Sequence, residues 1–350
     1  MPSLEAKARL GREAEPDRSG MNSRAAPLRN RSVLVTGASG YLGSTIVELL
    51  LAAGSRVIGL SRTRPPVEID DWEPVDVRDR DQIDDVFRRR RPELVLHLAG
   101  ITNASRVLDR VVAGFEINAV GTVLLLEACK RHGCERFVYC GSMEAPRAES
   151  AEAPASPYGA SKWVGTAYTR MFQSVFELPT VILRPFFVYG PGRQPADKLV
   201  PYLMQTYLRR GRPRLSSPQR KMDWVFIDDV AEAFLRAACM PNAVGCELDV
   251  GTGRLTSIRE FVELVRAEFG GGPAPVFDAD PSRAAEVSAP ADTQAVLARI
   301  GWAASTPLEE GVRRTVEWYR RVASAELASC GDRISAAVAP MPVAGMTEPH

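Results

Sequence analysis

The sequence predicts an α/β protein, a doubly wound parallel sheet covered by helices on both faces, with a smaller lobe at its C-terminal side. Three observations predict it. Short β-rich apolar runs alternate with helical periodicities from residue 32 to about residue 190. Gly37, Gly40 and Gly43 stand between the first strand pattern and the first helix pattern. After Gly190 the alternation gives way to Pro- and Gly-rich segments between helices.

Taken in order, residues 32–35 read as the first strand, and residues 44–53 as the helix after the glycine turn. Residues 56–60 make a second strand and Val75-Asp76-Val77 a third. A helix at 79–90 leads to a fourth strand at 94–98, and a long helix near 105–131 to a fifth at 136–140. A helix at 157–177 precedes the sixth strand, 180–184. Beyond Gly190, helices are expected near 197–209, 228–239, 256–269 and 307–322, with a turn-rich basic segment at 209–220.

The organisation expected is therefore a disordered extension over 1–30, in which Met21 is a second candidate start. A dinucleotide-binding domain follows over 31–190. A substrate-binding lobe spans 191–322, with some segments returning to the first domain, and a flexible tail spans 323–350.

A chain of 350 residues, 45% hydrophobic and 25% charged, can bury a large core. Its net charge is +1, and the arginines at 88–91 stand among Asp81, Asp84 and Asp85, so no nucleic-acid footprint emerges. The six cysteines sit in apolar contexts and read as reduced and mostly buried, and with three histidines no metal site is expected. Residues 1–30 lack the apolar segment of a secretory signal, and no run approaches the ~18 apolar residues of a membrane span. The expected location is the cytoplasm, without membrane partners.

The glycine turn carries the first chemistry. Gly37 permits the tight turn, Gly40 lets backbone approach a pyrophosphate, and the helix N-terminus offers unpaired N–H groups and a positive dipole end. Ser39, Tyr41, Leu42 and Gly43 complete that turn. An NAD enzyme usually places a carboxylate about 20 residues further on to bind the ribose 2′-hydroxyl. Here the second strand ends in Ser61-Arg62-Thr63-Arg64. Arg62 offers a bidentate partner to a 2′-phosphate, so NADP(H) is favoured and NAD(H) remains possible.

Tyr158 and Lys162, four residues apart, rise from one face of a helix as a phenol beside an ammonium. A nearby cation is expected to pull the tyrosine pKa toward neutrality, where proton transfer to a carbonyl is efficient. Ser142 is the hydroxyl that holds the reacting oxygen. Glu144 either removes a proton beside a carbonyl or caps the following loop.

Together these residues resemble the extended short-chain dehydrogenase/reductase family of NAD(P)-dependent nucleotide-sugar epimerases, dehydratases and ketoreductases. The resemblance runs from about residue 32 to 320. It includes the glycine turn, Asp76-Val77, His97-Leu98-Ala99-Gly100, Asn118 with Gly121-Thr122, Tyr158-Gly159-Ala160-Ser161-Lys162, Arg184-Pro185, Tyr189-Gly190-Pro191-Gly192, Asp228-Asp229-Val230 and Val250-Gly251-Thr252-Gly253. It implies a Rossmann-type fold and a homodimer formed through the helices near 105–131 and 157–177. It also implies cofactor contacts from Asp76, Val77, Leu98, Ala99, Gly100, Asn118, Cys140, Tyr158, Lys162, Pro185, Phe187 and Val188.

Departures from the family pattern bear on the reaction. Met143 stands where dehydratases carry a group that protonates or positions the leaving hydroxyl, and a thioether donates no proton. Ala145-Pro146-Arg147 replaces Val-Tyr-Gly, Phe187 replaces a frequent Asn, and Met222-Asp223 replaces Arg-Asp. Met143, Phe187, Arg220 and Arg283 are left as substrate contacts, the two arginines for a nucleotide diphosphate. These features put an NADP-dependent reductase of a keto-sugar nucleotide, such as a 4-keto-6-deoxyhexose, first. A nucleotide-sugar epimerase or dehydratase with tightly held cofactor stands second, and a non-catalytic dinucleotide-binding module third.

Overall fold

The computed structural model describes residues 26–102, 107–147, 150–192, 194–278 and 289–337, with 326–337 described by backbone alone. In chain order its elements begin β1 (Ser32–Thr36), α1 (Tyr41–Ala52), β2 (Arg56–Leu60), β3 (Asp71–Glu73), α2 (Arg80–Arg90) and β4 (Leu94–His97). Then come α3 (Val111–Phe115), a π-helical turn (Glu116–Val120), α4 (Gly121–His132), β5 (Arg136–Cys140), α5 (Pro157–Phe176), β6 (Thr180–Pro185) and β7 (Phe187–Tyr189). The chain continues through α6 (Leu199–Leu208), β8 (Arg214–Ser216), β9 (Lys221–Met222), β10 (Trp224–Phe226), α7 (Ile227–Cys239) and β11 (Glu247–Val250). It ends with β12 (Thr256–Ser257), α8 (Ile258–Glu268), β13 (Val276–Asp278), α9 (Thr293–Ile300) and α10 (Leu308–Ala337).

The main sheet has seven strands in the order β11-β6-β5-β4-β1-β2-β3, all parallel. The period of two divides each strand between two cores. Val33, Val35, Leu96, Val138 and Leu183 face one cluster with Ile46 of α1 and Phe234 of α7, whereas Leu34, Val95, Phe137 and Ile182 face the other, with Phe87 of α2 and Leu125 of α4. The order in which strands are added reverses between β1 and β4, and the crevice at the carboxyl ends of these strands is where open α/β sheets take ligands. The doubly wound α/β fold expected from the sequence is the fold observed. A third cluster around Tyr189, Leu203, Trp224, Phe261 and Val312 forms the lobe, with the Trp224 and Phe261 rings stacked 3.9 Å apart. Residues of α7 and β11 return to the large sheet.

Four expectations need correction. The third strand is Asp71–Glu73 rather than Val75-Asp76-Val77. Pro74 has no N–H to continue the ladder, and Val75 and Val77 instead bury their side chains under α2 and α4. The described end of the N-terminal extension is docked, with Leu28 fully buried and its carbonyl accepting from Ser55 Oγ at 2.9 Å. Where the composition suggested a loose tail from Ala323, the helix continues to Ala337 through a run rich in Ala. The run Leu108–His132 is long and apolar enough, by length and composition, to cross a membrane, because Val, Leu and Ile outweigh its few charges. Leu125, Leu126 and Cys129 of that run are buried against the sheet.

Candidate active site

At the glycine turn, Gly37 lies at φ +70° and its N–H donates to the Leu60 carbonyl at 2.8 Å. A Cβ on Gly43 would stand 2.1 Å from the Gly37 carbonyl oxygen, so helix and strand close only around glycine. No side chain caps the N-terminus of α1 at Gly40, which leaves the first helical N–H groups facing the β1/β4 crevice. An uncapped helix start on a glycine turn suits a pyrophosphate, so the residues fit a dinucleotide. Tyr41 and Leu42 follow in the first turn, and their side chains pack against the lobe cluster.

The adenosine side is built from the ends of β2 and β3. Ser61 Oγ donates to the Thr63 carbonyl at 2.7 Å, and Thr63 Oγ1 donates to Ser39 Oγ at 3.0 Å. Arg62 is exposed. The Asp76 carboxyl is held below its usual range by hydrogen bonds from Arg78, and Arg62 adds a smaller pull. Gly121 is required by Val77, whose Cγ2 would lie 2.8 Å from a Cβ there.

A buried polar column joins the glycine turn to α5. Thr36 Oγ1 accepts from the N–H groups of Leu98 and Ala99, both at 3.1 Å, so its own proton goes to His97 Nδ1 at 2.7 Å. Thr122 Oγ1 gives its proton to the Asn118 carbonyl at 2.6 Å, so it must accept from His97 Nε2 at 2.9 Å. These donor and acceptor roles assign His97 as the neutral Nε2–H tautomer. Burial, helped by the Lys162 charge, pushes its pKa down to about 3. In the π turn, the Asn118 amide brackets the backbone of Ile101 and donates to Ser161 Oγ at 2.9 Å, which donates to the Tyr158 carbonyl at 2.8 Å. Asn118 was expected to touch cofactor, but its side chain is committed to the loop after β4 and to α5. Leu98, Ala99 and Gly100 form that loop, and a Cβ on Gly100 would meet Asn118 Oδ1 at 2.8 Å.

The structure brings Ser142, Tyr158 and Lys162 together at the carboxyl end of β5. Ser156 caps α5 by accepting from the Gly159 N–H, and Pro157 fits its first turn. Tyr158 is partly buried, with Ser142 near enough to its phenol to lower the pKa. Lys162 is buried, with Nζ donating to the Cys140 carbonyl at 2.8 Å and lying 5.0 Å from the Tyr139 ring centroid. The expected drop in the tyrosine pKa is not observed. Burial pushes the Tyr158 phenol up, the Ser142 hydroxyl offsets part of that, and Cys140 and Glu144 add to the rise. Lys162 turns its ammonium toward the Cys140 carbonyl, and burial lowers its own pKa.

The segment between Ser142 and Tyr158 is pinned from both sides. The Glu144 N–H donates to Ser142 Oγ at 3.1 Å, and its carboxylate accepts from Ser156 Oγ at 3.2 Å, so Glu144 ties the serine to the cap of α5. Met143 N–H donates to the Pro185 carbonyl at 3.3 Å. Arg184 Nη2 donates to the Ala145 carbonyl at 3.0 Å.

On the lobe side, the Arg220 guanidinium lies 5.6 Å from the centroid of the Phe187 ring, itself 6.0 Å from the Trp224 ring. Met222 is buried, and Val188 offers its carbonyl to Gln194 Nε2 at 3.0 Å. Arg283 lies outside the described residues. Sequence reasoning missed His97, Arg147, Asp223 and Asp249 as site-building residues. Asp223 is fully buried and accepts from the N–H groups of Thr252, Gly253 and Ala291 and from Thr252 Oγ1, which explains why aspartate precedes Trp224.

A family model described as NAD dependent epimerase/dehydratase matches residues 33–251. The chain belongs to this family. It is an NAD(P)-dependent enzyme of the extended short-chain dehydrogenase/reductase type, as the sequence motifs implied. Similar proteins include UDP-glucose 4-epimerase of Mycolicibacterium smegmatis, 32% identical over 310 residues, covering 82% of this chain and 98% of that protein. The UDP-glucose 4-epimerase of Thermus thermophilus, solved in complex with NAD, is 31% identical with a TM-score of 0.73, covering 82% of this chain and 98% of that one. The UDP-glucose 4-epimerase of Thermotoga maritima, solved with UDP-glucose, is 26% identical with a TM-score of 0.77, covering 83% of this chain and 99% of that one.

Proposed function

We propose that the enzyme is a nucleotide-sugar 4-epimerase that acts on a UDP-hexose. The observation that carries this reading is the 32% identity to a UDP-glucose 4-epimerase across nearly the whole of that protein. The convergence of Ser142, Tyr158 and Lys162 supplies the chemistry it needs. The glycine turn of Gly37, Gly40 and Gly43 would hold a dinucleotide, whose nicotinamide would supply reversible hydride chemistry. In its phenolate form, which the positive charges of Lys162 and of an oxidised nicotinamide would favour, Tyr158 Oη would take the proton of the sugar hydroxyl as its carbon is oxidised, and Ser142 Oγ would hold the same oxygen. After the keto sugar presents its other face, Tyr158 returns the proton to the oxygen at the inverted carbon. Lys162 keeps a positive charge beside the reacting groups. Met143 has no proton to give a leaving hydroxyl, which disfavours dehydration. Arg220, held over Phe187, is the candidate for the diphosphate.

Arg62 favours the second reading, the NADP-dependent keto-sugar reductase, and in the epimerase it favours tolerance of NADP beside NAD. The exposed apolar side chains of Leu108, Val112, Phe115, Trp163, Val175 and Phe176 on the two helical runs support association as a homodimer. The test is to incubate the protein with UDP-glucose and NAD and follow the sugar anomeric protons by NMR. An equilibrium mixture with UDP-galactose is expected, and unchanged UDP-glucose would remove this substrate from the reading.

A further inference from the structure

The loop that carries Ser142 is fastened to the far edge of the sheet by a residue that the family pattern does not supply. Arg147 Nη2 donates to Asp249 Oδ2 at 2.6 Å, and that carboxylate on β11 is 3% exposed while the arginine side chain is 46% exposed. Asp249 Oδ2 also accepts the Asp292 N–H at 3.1 Å, just ahead of α9. Its other oxygen faces Arg184 Nε at 3.4 Å, and Arg184 is anchored by Glu247 at 2.8 Å. Arg184 Nη2 in turn holds the carbonyl of Ala145. A buried carboxylate that has lost its strongest charged partner cannot keep the same geometry at no cost, so the Arg147 contact fixes the whole set.

We infer that Arg147 is a positioning residue that acts through Asp249 to hold the segment 142–147, and with it Ser142, against Tyr158. The inference rests on the proposed epimerase chemistry for its effect on turnover, but not for its effect on the loop. Glu144 and Ser156 fasten the same segment to α5. Met143 N–H on Pro185 and Arg184 on the Ala145 carbonyl hold its middle, and removing the Arg147 end loosens the segment that places Ser142 against the oxygen it must hold.

The test uses R147A and R147K in the full chain, with amide hydrogen exchange and steady-state turnover as readouts. In R147A the amides of Met143, Glu144 and Ala145 should lose protection about tenfold while those of α1 do not change, and kcat should fall about tenfold with KM within about twofold. R147K, which keeps the charge, should recover most of both. Unchanged exchange at 143–145 overturns the latch. Faster exchange with unchanged kcat overturns the positioning role. Loss of protection throughout the sheet, or failure of R147A to fold, assigns Arg147 to general stability and also overturns it. If the wild type does not epimerise UDP-glucose, the functional reading fails, and the exchange measurement still decides the latch.

Discussion

The two sides of the crevice are built on different principles. The cofactor side is made of backbone and short buried side chains: a glycine turn whose carbonyls leave no room for a Cβ, an uncapped helix start, and a polar column of Thr36, His97 and Thr122. The substrate side is made of long side chains, Arg147, Arg184, Arg220 and Phe187, that reach across from separate strands and loops. Backbone constraints tolerate no substitution, whereas side-chain contacts can be replaced singly. The first side therefore suits a fixed ligand common to a family, and the second suits a ligand that varies.

Mutations should separate the two sides. Tyr158→Phe, at their junction, should lower turnover by about 10²–10⁴-fold and leave dinucleotide affinity nearly unchanged, as isothermal titration would read. If turnover persists, the proton passes elsewhere. On the cofactor side, Gly43→Ala forces a methyl into the Gly37 carbonyl and should cost about 1–3 kcal/mol of stability together with most dinucleotide binding. Normal melting and normal binding would show that the turn is looser than described. On the substrate side, Arg220→Ala should raise KM for the nucleotide sugar by about tenfold or more and leave kcat close to wild type, the signature of uniform binding. A fall in kcat alone would move Arg220 out of the diphosphate site.

His97 gives a test that needs no substrate. An unfolded histidine takes up its proton near 6.5, and the buried ring only near about 3, so between these values the unfolded chain binds more protons. Stability contributed by neutral His97 is therefore lost as pH falls through that window, at about 1.4 kcal/mol per pH unit. The difference in unfolding free energy between wild type and His97→Gln should carry this slope. A flat difference would mean that the ring is protonated or solvated. The smallest effect is expected at the exposed Arg62, where Arg62→Glu should shift the NADP-to-NAD affinity ratio toward NAD by a few-fold. An unchanged ratio would leave the choice to other groups.

The contrast also explains what the sequence disclosed. Glycines at three-residue spacing, period-two strands and the Tyr158 to Lys162 step are local signals, so the sheet, the turn and the placing of Tyr158 and Lys162 on one helix were legible. The third strand was misplaced because Val75 and Val77 look like strand residues, while Pro74 had already ended the ladder. α9 went unnoticed because its eight residues carry too few turns for a clear period, although Asp292 caps it. The latch was illegible for another reason. Arg147, Arg184, Asp249 and Asp292 meet only because β6 and β11 are neighbours, and nothing in the residues around Arg147 announces a partner on β11. The same holds for the direction of the Tyr158 pKa. The spacing to Lys162 was correct, but the carbonyl that claims the ammonium belongs to β5.

The central claim is that one carbon is oxidised and re-reduced within a single turnover. It is tested most directly by measuring UDP-galactose formed from UDP-glucose against reduced cofactor released to solution in the same reaction. The account predicts many product molecules per enzyme with no net change in reduced cofactor. Failure to form the epimer, together with one reduced cofactor consumed for each keto-sugar nucleotide supplied, would contradict it and restore the reductase.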